Sequence, residues 1–274
     1  MALRRGIVGR ILAHLVVIVA VIAALLPLYW LVVTSVIPWQ RVMAYPPELI
    51  PTEFVSFNWK WALSKIPLPF RNSLIIATAV TAISIAAGLT SGYAFARFRI
   101  KGGPTLLFWI LSLRFLPGIV PVVAFYIMFE RFGLLDTPFA VIIAHLIIDI
   151  PFAVWMIKGF IEEVPPDMEE AALVDGCSRL QVITKIVLPV IAPGVAVTAF
   201  FCFVWSWNEF MFALILTESK AYTMPVTIAG FRGAGIIWGA ASAAALVATL
   251  PSLVLAILFR KYLVRVFTYG VIKA

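Results

Sequence analysis

The chain has 274 residues, of which 63% are hydrophobic and only 12% charged, with a mean hydropathy of +1.07. Soluble domains carry about 45–50% apolar and about 25% charged residues, so this surplus excludes a wholly water-facing surface and leaves an integral membrane protein. The net charge of +8 is spread over short segments between apolar runs, which assigns it to membrane topology rather than to nucleic acid.

The N-terminus places Arg4, Arg5 and Arg10 before an apolar run with no charge until Arg41. A secretory signal has an apolar region of only about 7–15 residues, so this run is expected to be a retained first span. A crossing helix needs about 20 apolar residues, because every backbone amide in lipid must be bonded within the protein. The chain offers six such runs, expected at residues 11–36, 72–96, 104–129, 138–158, 193–216 and 238–260. The expected fold is therefore an all-α polytopic membrane protein, a single domain over residues 1–274 with six transmembrane helices.

Lys and Arg fall unevenly between the runs. One side collects thirteen, from Arg4 through Arg97, Lys158 and Arg179 to Lys273, and the other collects seven, from Arg41 to Arg232. The richer side is expected in the cytoplasm, with both termini. Residues 37–71, with Pro46, Pro47, Trp59 and Trp61, suit an interfacial layer outside, and Gly230, Gly233 and Gly235 mark a flexible or closely packed outer loop. Gly88 and Gly92, and the small residues from Gly239 onward, are expected to let helices approach closely within the chain, with a partner interface as the alternative.

Two charges lie inside spans. At 1.5 Å per residue, Arg114 and Asp149 are each expected about 14–15 Å from the inner surface, where a charge calls for a partner. An Arg114–Asp149 pair or shared polar network is the reading, with substrate contact as the alternative. In the outer half of the fifth span, Trp205, Trp207, Asn208 and Glu209 combine flat aromatic faces with hydroxyl-binding groups, which suits a carbohydrate; an aromatic belt with a snorkelling acid is the other reading. His145 is read as a packed, hydrogen-bonded ring.

The most informative segment is the inner loop, residues 159–192, which holds six of the thirteen acids. Pro165-Pro166 followed by Asp167, Glu169 and Glu170 predicts a helix start. Gly176 ends that helix, and Ser178 with Gln181 predicts a capping box opening a second one, with Leu180, Ile183 and Val187 on one face. Such an ordered, acid-rich hairpin suits docking on a cytoplasmic partner.

Within it, Glu170-Ala171-Ala172, three residues, Gly176, nine residues, then Ile186-Val187-Leu188-Pro189 resemble the EAA motif, EAA-x3-G-x9-I-x-L-P, at all seven specified positions. That motif marks permease subunits of bacterial and archaeal binding-protein-dependent ABC importers. Gly133-Leu134-Leu135-Asp136-Thr137 and Trp207-Asn208-Glu209-Phe210 look like the carbohydrate-uptake, maltose-type branch. The resemblance covers nearly the whole chain and implies a type I importer permease (MetI-like) core in the cell membrane. It implies that Glu169, Glu170, Ala171, Ala172, Asp175, Gly176, Leu188 and Pro189 couple the spans to a dimer of ATPase subunits. It also implies a second, related permease and an extracytoplasmic solute-binding protein. A neutral amide is commoner than an acid near Asp149, which is a departure.

The chain carries no GxxxxGK[ST], so ATP and its magnesium are expected on the partner subunits and no cofactor or catalysis on this one. With Cys177, Cys202, His14 and His145 scattered, neither a metal site nor an intramembrane enzyme is expected. A self-sufficient transporter would not require the hairpin, and no inverted repeat is apparent. The basic, aromatic tail over 261–274 (Lys261, Tyr262, Arg265, Tyr269, Lys273) suits either an ATPase contact or the membrane surface. The solute is read as a sugar or oligosaccharide, with a polyol, glycerol phosphate or amino acid as alternatives.

Overall fold

The structure is a computed structural model that describes residues 7–231 and 238–272. The expectations placed on Arg4, Arg5, Arg232, Gly233, Gly235 and Lys273, and on the side chains of Arg265 and Tyr269, lie outside the described residues. In chain order the helices are α1 (Ile7–Val36), α2 (Trp39–Val42), α3 (Phe57–Lys65), α4 (Pro67–Arg97), α5 (Gly103–Ser112), α6 (Ile119–Arg131), α7 (Pro138–Glu162), α8 (Pro166–Val174), α9 (Arg179–Val182), α10 (Leu188–Asn208), α11 (Met211–Leu216), α12 (Met224–Gly230) and α13 (Trp238–Ile272). Five helical runs are long and apolar enough to cross a membrane, and a sixth crossing is available if a bent pair is counted as one. The chain divides into two compact units, Met1–Ile66 with Ile228–Leu250 and Pro67–Thr227 with Pro251–Ala274.

In the first unit, the C-terminal end of α1 is tied down by polar groups that its apolar length lacks. Asn58 donates to the carbonyls of Ser35 (3.2 Å) and Ile37 (3.0 Å), which satisfies acceptors at the helix C-terminus. Thr34 donates to Ser242 Oγ at 2.8 Å, beside buried Ala240, Ala243 and Ala244. The small-residue run at the start of α13 thus packs within this unit. A Cβ on Gly239 would overlap the Asn58 amide.

The second unit is organised on α4 and α7, which run parallel and nearly touch. A Cβ on Gly88 would lie 2.8 Å from Ile157 Cδ1 and 3.0 Å from the Ala153 backbone, and one on Gly92 would lie 3.0 Å from the Lys158 nitrogen. The GxxxG spacing therefore serves packing inside the chain. One apolar cluster joins Ile76, Val80, Val122, Ala144 and Phe212, and a second joins Tyr93, Ile157, Ile161, Val182, Val187 and Ile191.

Two spans differ from expectation. The third, expected as one helix over 104–129, is broken: Gly103–Phe115 and Ile119–Arg131 meet at 88°. Pro117 disfavours helical backbone at the residue before it, and Leu116 is extended at ψ 123. The fifth begins well before residue 193, in a continuous helical run over Arg179–Asn208, and Met211–Leu216 is a separate helix. Pro189 lacks an N–H, and its ring would meet the carbonyl of Lys185 in an α-helix. A π-helical turn over Ile183–Val187 stands at that place. The wider turn also resets the buried face. Val182 and Val187, five residues apart, are both fully buried, while Leu180, expected on that face, is 67% exposed.

Candidate functional site

The inner loop folds as its residues dictate. Pro165 and Pro166 open α8 with Asp167 and Glu169 in the first turn, where carboxylates favour the helix dipole. The helix ends in a left-handed residue, Gly176 at φ +87, with Cys177 N–H donating to the Ala172 carbonyl and Gly176 N–H to that of Leu173, at 3.0 and 3.1 Å. This pair of bonds is the Schellman stop, which needs a residue without a Cβ penalty at the turn. Ser178 and Gln181 form the reciprocal capping box, at 2.8 and 3.4 Å. From there the helix runs into the fifth span, so the hairpin is one short helix folded against the foot of a long one.

The two adjacent acids Glu169 and Glu170 part company. Glu170, Ala171, Asp175 and Gly176 are exposed, beside exposed Met168 and Val174, while Ala172 is buried. Glu169 is 3% exposed, accepting from Tyr93 Oη at 2.7 Å and Arg97 Nε at 2.7 Å. Arg97 Nη2 also donates to the carbonyls of Ile161 and Val164, at 2.8 and 2.7 Å. Glu169 is therefore turned away from the exposed face that carries Glu170. Neighbours on a helix point about 100° apart, and the sequence did not say which one faced in. Leu188 is half-buried and Pro189 exposed, both on the π-to-α junction rather than on the hairpin.

The polar groups in the spans are arranged less simply than expected. Arg114 sits in the short 3-10 turn before the break, its guanidinium 4.4 Å from the Phe152 ring centre and Nη1 3.4 Å from the Ile148 carbonyl. Asp149 is fully buried, and its carboxylate accepts no hydrogen bond among the described residues. The two share a level, but the direct ion pair is not made. The break turns Arg114 toward the ring and the carbonyl one residue before Asp149.

The candidate carbohydrate residues are not brought to one surface. Trp207 is 2% exposed, stacked on Phe203 at 5.8 Å and edge-on to Phe70 at 5.5 Å. Asn208 is exposed and donates to its own helix at Val204. Glu209 turns inward, accepting from the N–H groups of Phe212 and Ala213 at the start of α11 and lying 3.1 Å from His145 Nε2. His145 Nδ1 is 2.8 Å from Ser206 Oγ, and Trp205 sits edge-on to the ring. The histidine is the packed, hydrogen-bonded ring that its place in the sequence suggested.

One residue just before α7 was missed. Asp136, left-handed at φ 58, accepts backbone N–H bonds from Glu218, Ser219, Lys220 and Ala221, and the Ser219 hydroxyl as well. Burial alone would raise its pKa, but the backbone donors outweigh it and hold the carboxyl well below the usual range. The clue was an aspartate between Leu135 and a Thr137-Pro138 helix start, since Asp tolerates left-handed backbone and binds nearby amides.

The family model described as binding-protein-dependent transport system inner membrane component matches residues 84–268, which include this hairpin. The chain belongs to that family. A probable ABC transporter permease of Sinorhizobium fredii is 38% identical over 91% of this chain and 90% of its own length. The trehalose/maltose transport system permease of Thermococcus litoralis is 33% identical, with 99% of both chains covered. The diacetylchitobiose uptake permease of Streptomyces coelicolor is 28% identical over 99% of this chain and 100% of its own. A crystal structure of a bacterial ABC transporter for the acidic polysaccharide alginate superposes with TM-score 0.74 at 20% identity, covering 96% of this chain and 98% of that one. The fold is thus that of a type I ABC importer permease, and the chain is a multi-pass membrane subunit.

Proposed function

We propose that this permease forms half of a translocation path for a sugar or oligosaccharide. An extracytoplasmic binding protein delivers the solute, a second related permease supplies the other half, and a dimer of separate ATPase subunits, holding ATP and magnesium, drives the cycle. The chain itself is no enzyme in this reading, and both termini lie in the cytoplasm of a bacterial or archaeal cell.

The observation that carries this is the hairpin at the foot of the fifth span. It presents Glu170 and Ala171 outward on a short helix stopped at Gly176, with Asp175 and Gly176 exposed at the turn and the Ser178–Gln181 cap opening the next helix. Sugar transport is supported by the trehalose/maltose and diacetylchitobiose relatives. Arg114, which would favour a phosphorylated solute, is taken up by Phe152 and Ile148.

The test is to purify the tagged chain from its native membranes in mild detergent and identify its companions by mass spectrometry. A Walker-A ATPase and a second permease should come with it, and the ATPase should be lost in the Glu170→Lys, Gly176→Arg variant. Recovery of the chain alone would overturn the proposal. Uptake of labelled trehalose or maltose by cells with and without the gene then tests the solute class.

A further inference from the structure

Among the six acids of the inner loop, Glu169 alone is buried on the spans, and its partners reach three other elements. Tyr93 and Arg97 lie on the last turns of α4. Arg97 Nη2 binds the carbonyl of Ile161, in the last turn of α7, and that of Val164, in the segment that leads into α8. Arg179, at the start of α9, has Nη1 3.5 Å from Tyr93 Oη and its guanidinium 5.7 Å from the Phe98 ring centre. A charged carboxylate held by two donors in a dry setting has few alternative arrangements. The α4–α7 pair behind it is fixed by the glycine contacts at Gly88 and Gly92.

We infer that Glu169 is a positioning residue for energy coupling: with Tyr93 and Arg97 it locks α8 to the inner ends of α4 and α7, so that a push on the exposed face moves those spans as one body. This rests on the importer role proposed above. It assigns the two neighbouring acids opposite duties. Glu170 meets the partner, and Glu169 passes the displacement on. Without the lock, α8 would be left with non-directional apolar contacts, those of Ala172 and Leu173, and it could shift against α4 while the partner stayed bound.

The test uses the complex that the chain forms in its native membranes, placed in lipid nanodiscs. Spin labels go on Val174→Cys, at the exposed end of α8, and Arg71→Cys, at the outer end of α4, with Cys177→Ser and Cys202→Ala. The distance is measured with and without ATP and vanadate. With Glu169 present it should be single and unmoved by nucleotide. In Glu169→Ala it should shift or broaden by about 1–5 Å on nucleotide binding, with the ATPase still bound and hydrolysing ATP. Glu169→Gln, which keeps one oxygen for Arg97 Nε and can donate its amide N–H to the Tyr93 hydroxyl, should restore most of the parent behaviour.

A distance in Glu169→Ala that stays as narrow and fixed as the parent's overturns the inference. A parent distance that itself moves with nucleotide does so too. If Glu169→Ala is not recovered from membranes, Tyr93→Phe decides by the same measurement, with a smaller shift expected and none overturning the inference. Absence of any ATPase from the unmutated chain would instead sink the importer role, a result distinguishable from failure of the lock alone.

Discussion

The two ends of α7 are each held by a carboxylate, in contrasting ways. At the inner end, Glu169 and Arg97 gather side chains and carbonyls from separate helices, and both are largely buried. At the outer end, Asp136 collects consecutive amides from one loop, 218–221, and is half-exposed. An acid that binds one loop orders that loop. An acid on one helix that binds a second, through an arginine bonded in turn to a third, ties those helices together, and it leaves a costly unpaired charge behind if its cation is lost.

That difference predicts a ranking of damage. The largest effect should come from Arg97→Ala, which removes the cation paired with the buried Glu169 carboxylate and a donor from each of the Ile161 and Val164 carbonyls; a loss of about 3 kcal/mol or more is expected. Unfolding temperature in detergent should fall accordingly, and a drop no larger than that of a surface variant would remove the inner lock from the comparison. At the outer end, Asp136→Ala should cost about 1–2 kcal/mol, since water can reach the freed amides and screens the charge.

The outer site also has a pH signature. Because the folded pKa of Asp136 is depressed, its stabilisation is complete above the unfolded value of about 4 and is lost as pH falls through the lower folded value. The stability gap between the parent and Asp136→Asn should thus be constant above about pH 5 and shrink below about pH 4. A gap that grows on acidification would contradict the assignment.

Smaller still, Ser178→Ala removes one side of the capping box and should cost about 1 kcal/mol, read as faster amide exchange confined to residues after 178. The smallest change belongs to Lys158→Ala. It breaks the 2.6 Å pair with exposed Glu162, and it should alter stability by no more than about 0.5 kcal/mol.

Much of this was legible beforehand because it depends on local chemistry. Ser178 and Gln181 fix a cap three residues apart, and Gly176 supplies the backbone that the α8 stop requires. The break in the third span was also written in Pro117-Gly118, but the apolar length of the run masked it. Trp207 looked like a sugar platform because composition cannot tell a ring turned to a path from one stacked on Phe203 and Phe70. The Arg114–Asp149 pairing assumed two straight helices at equal depth, and one of them is bent.

By itself, then, the sequence determined the membrane class, the apolar runs, the order of caps and turns in the hairpin and the family. Each of these is decided by hydropathy or by residues within a few positions of one another. Which of Glu169 and Glu170 faces inward, which loop Asp136 binds, and where Arg114 and Trp207 point were decided only by tertiary structure. Those choices depend on groups such as Tyr93, Lys220 and Phe152 that are distant in the chain or on another helix, and their positions follow from how α4, α7 and α10 pack.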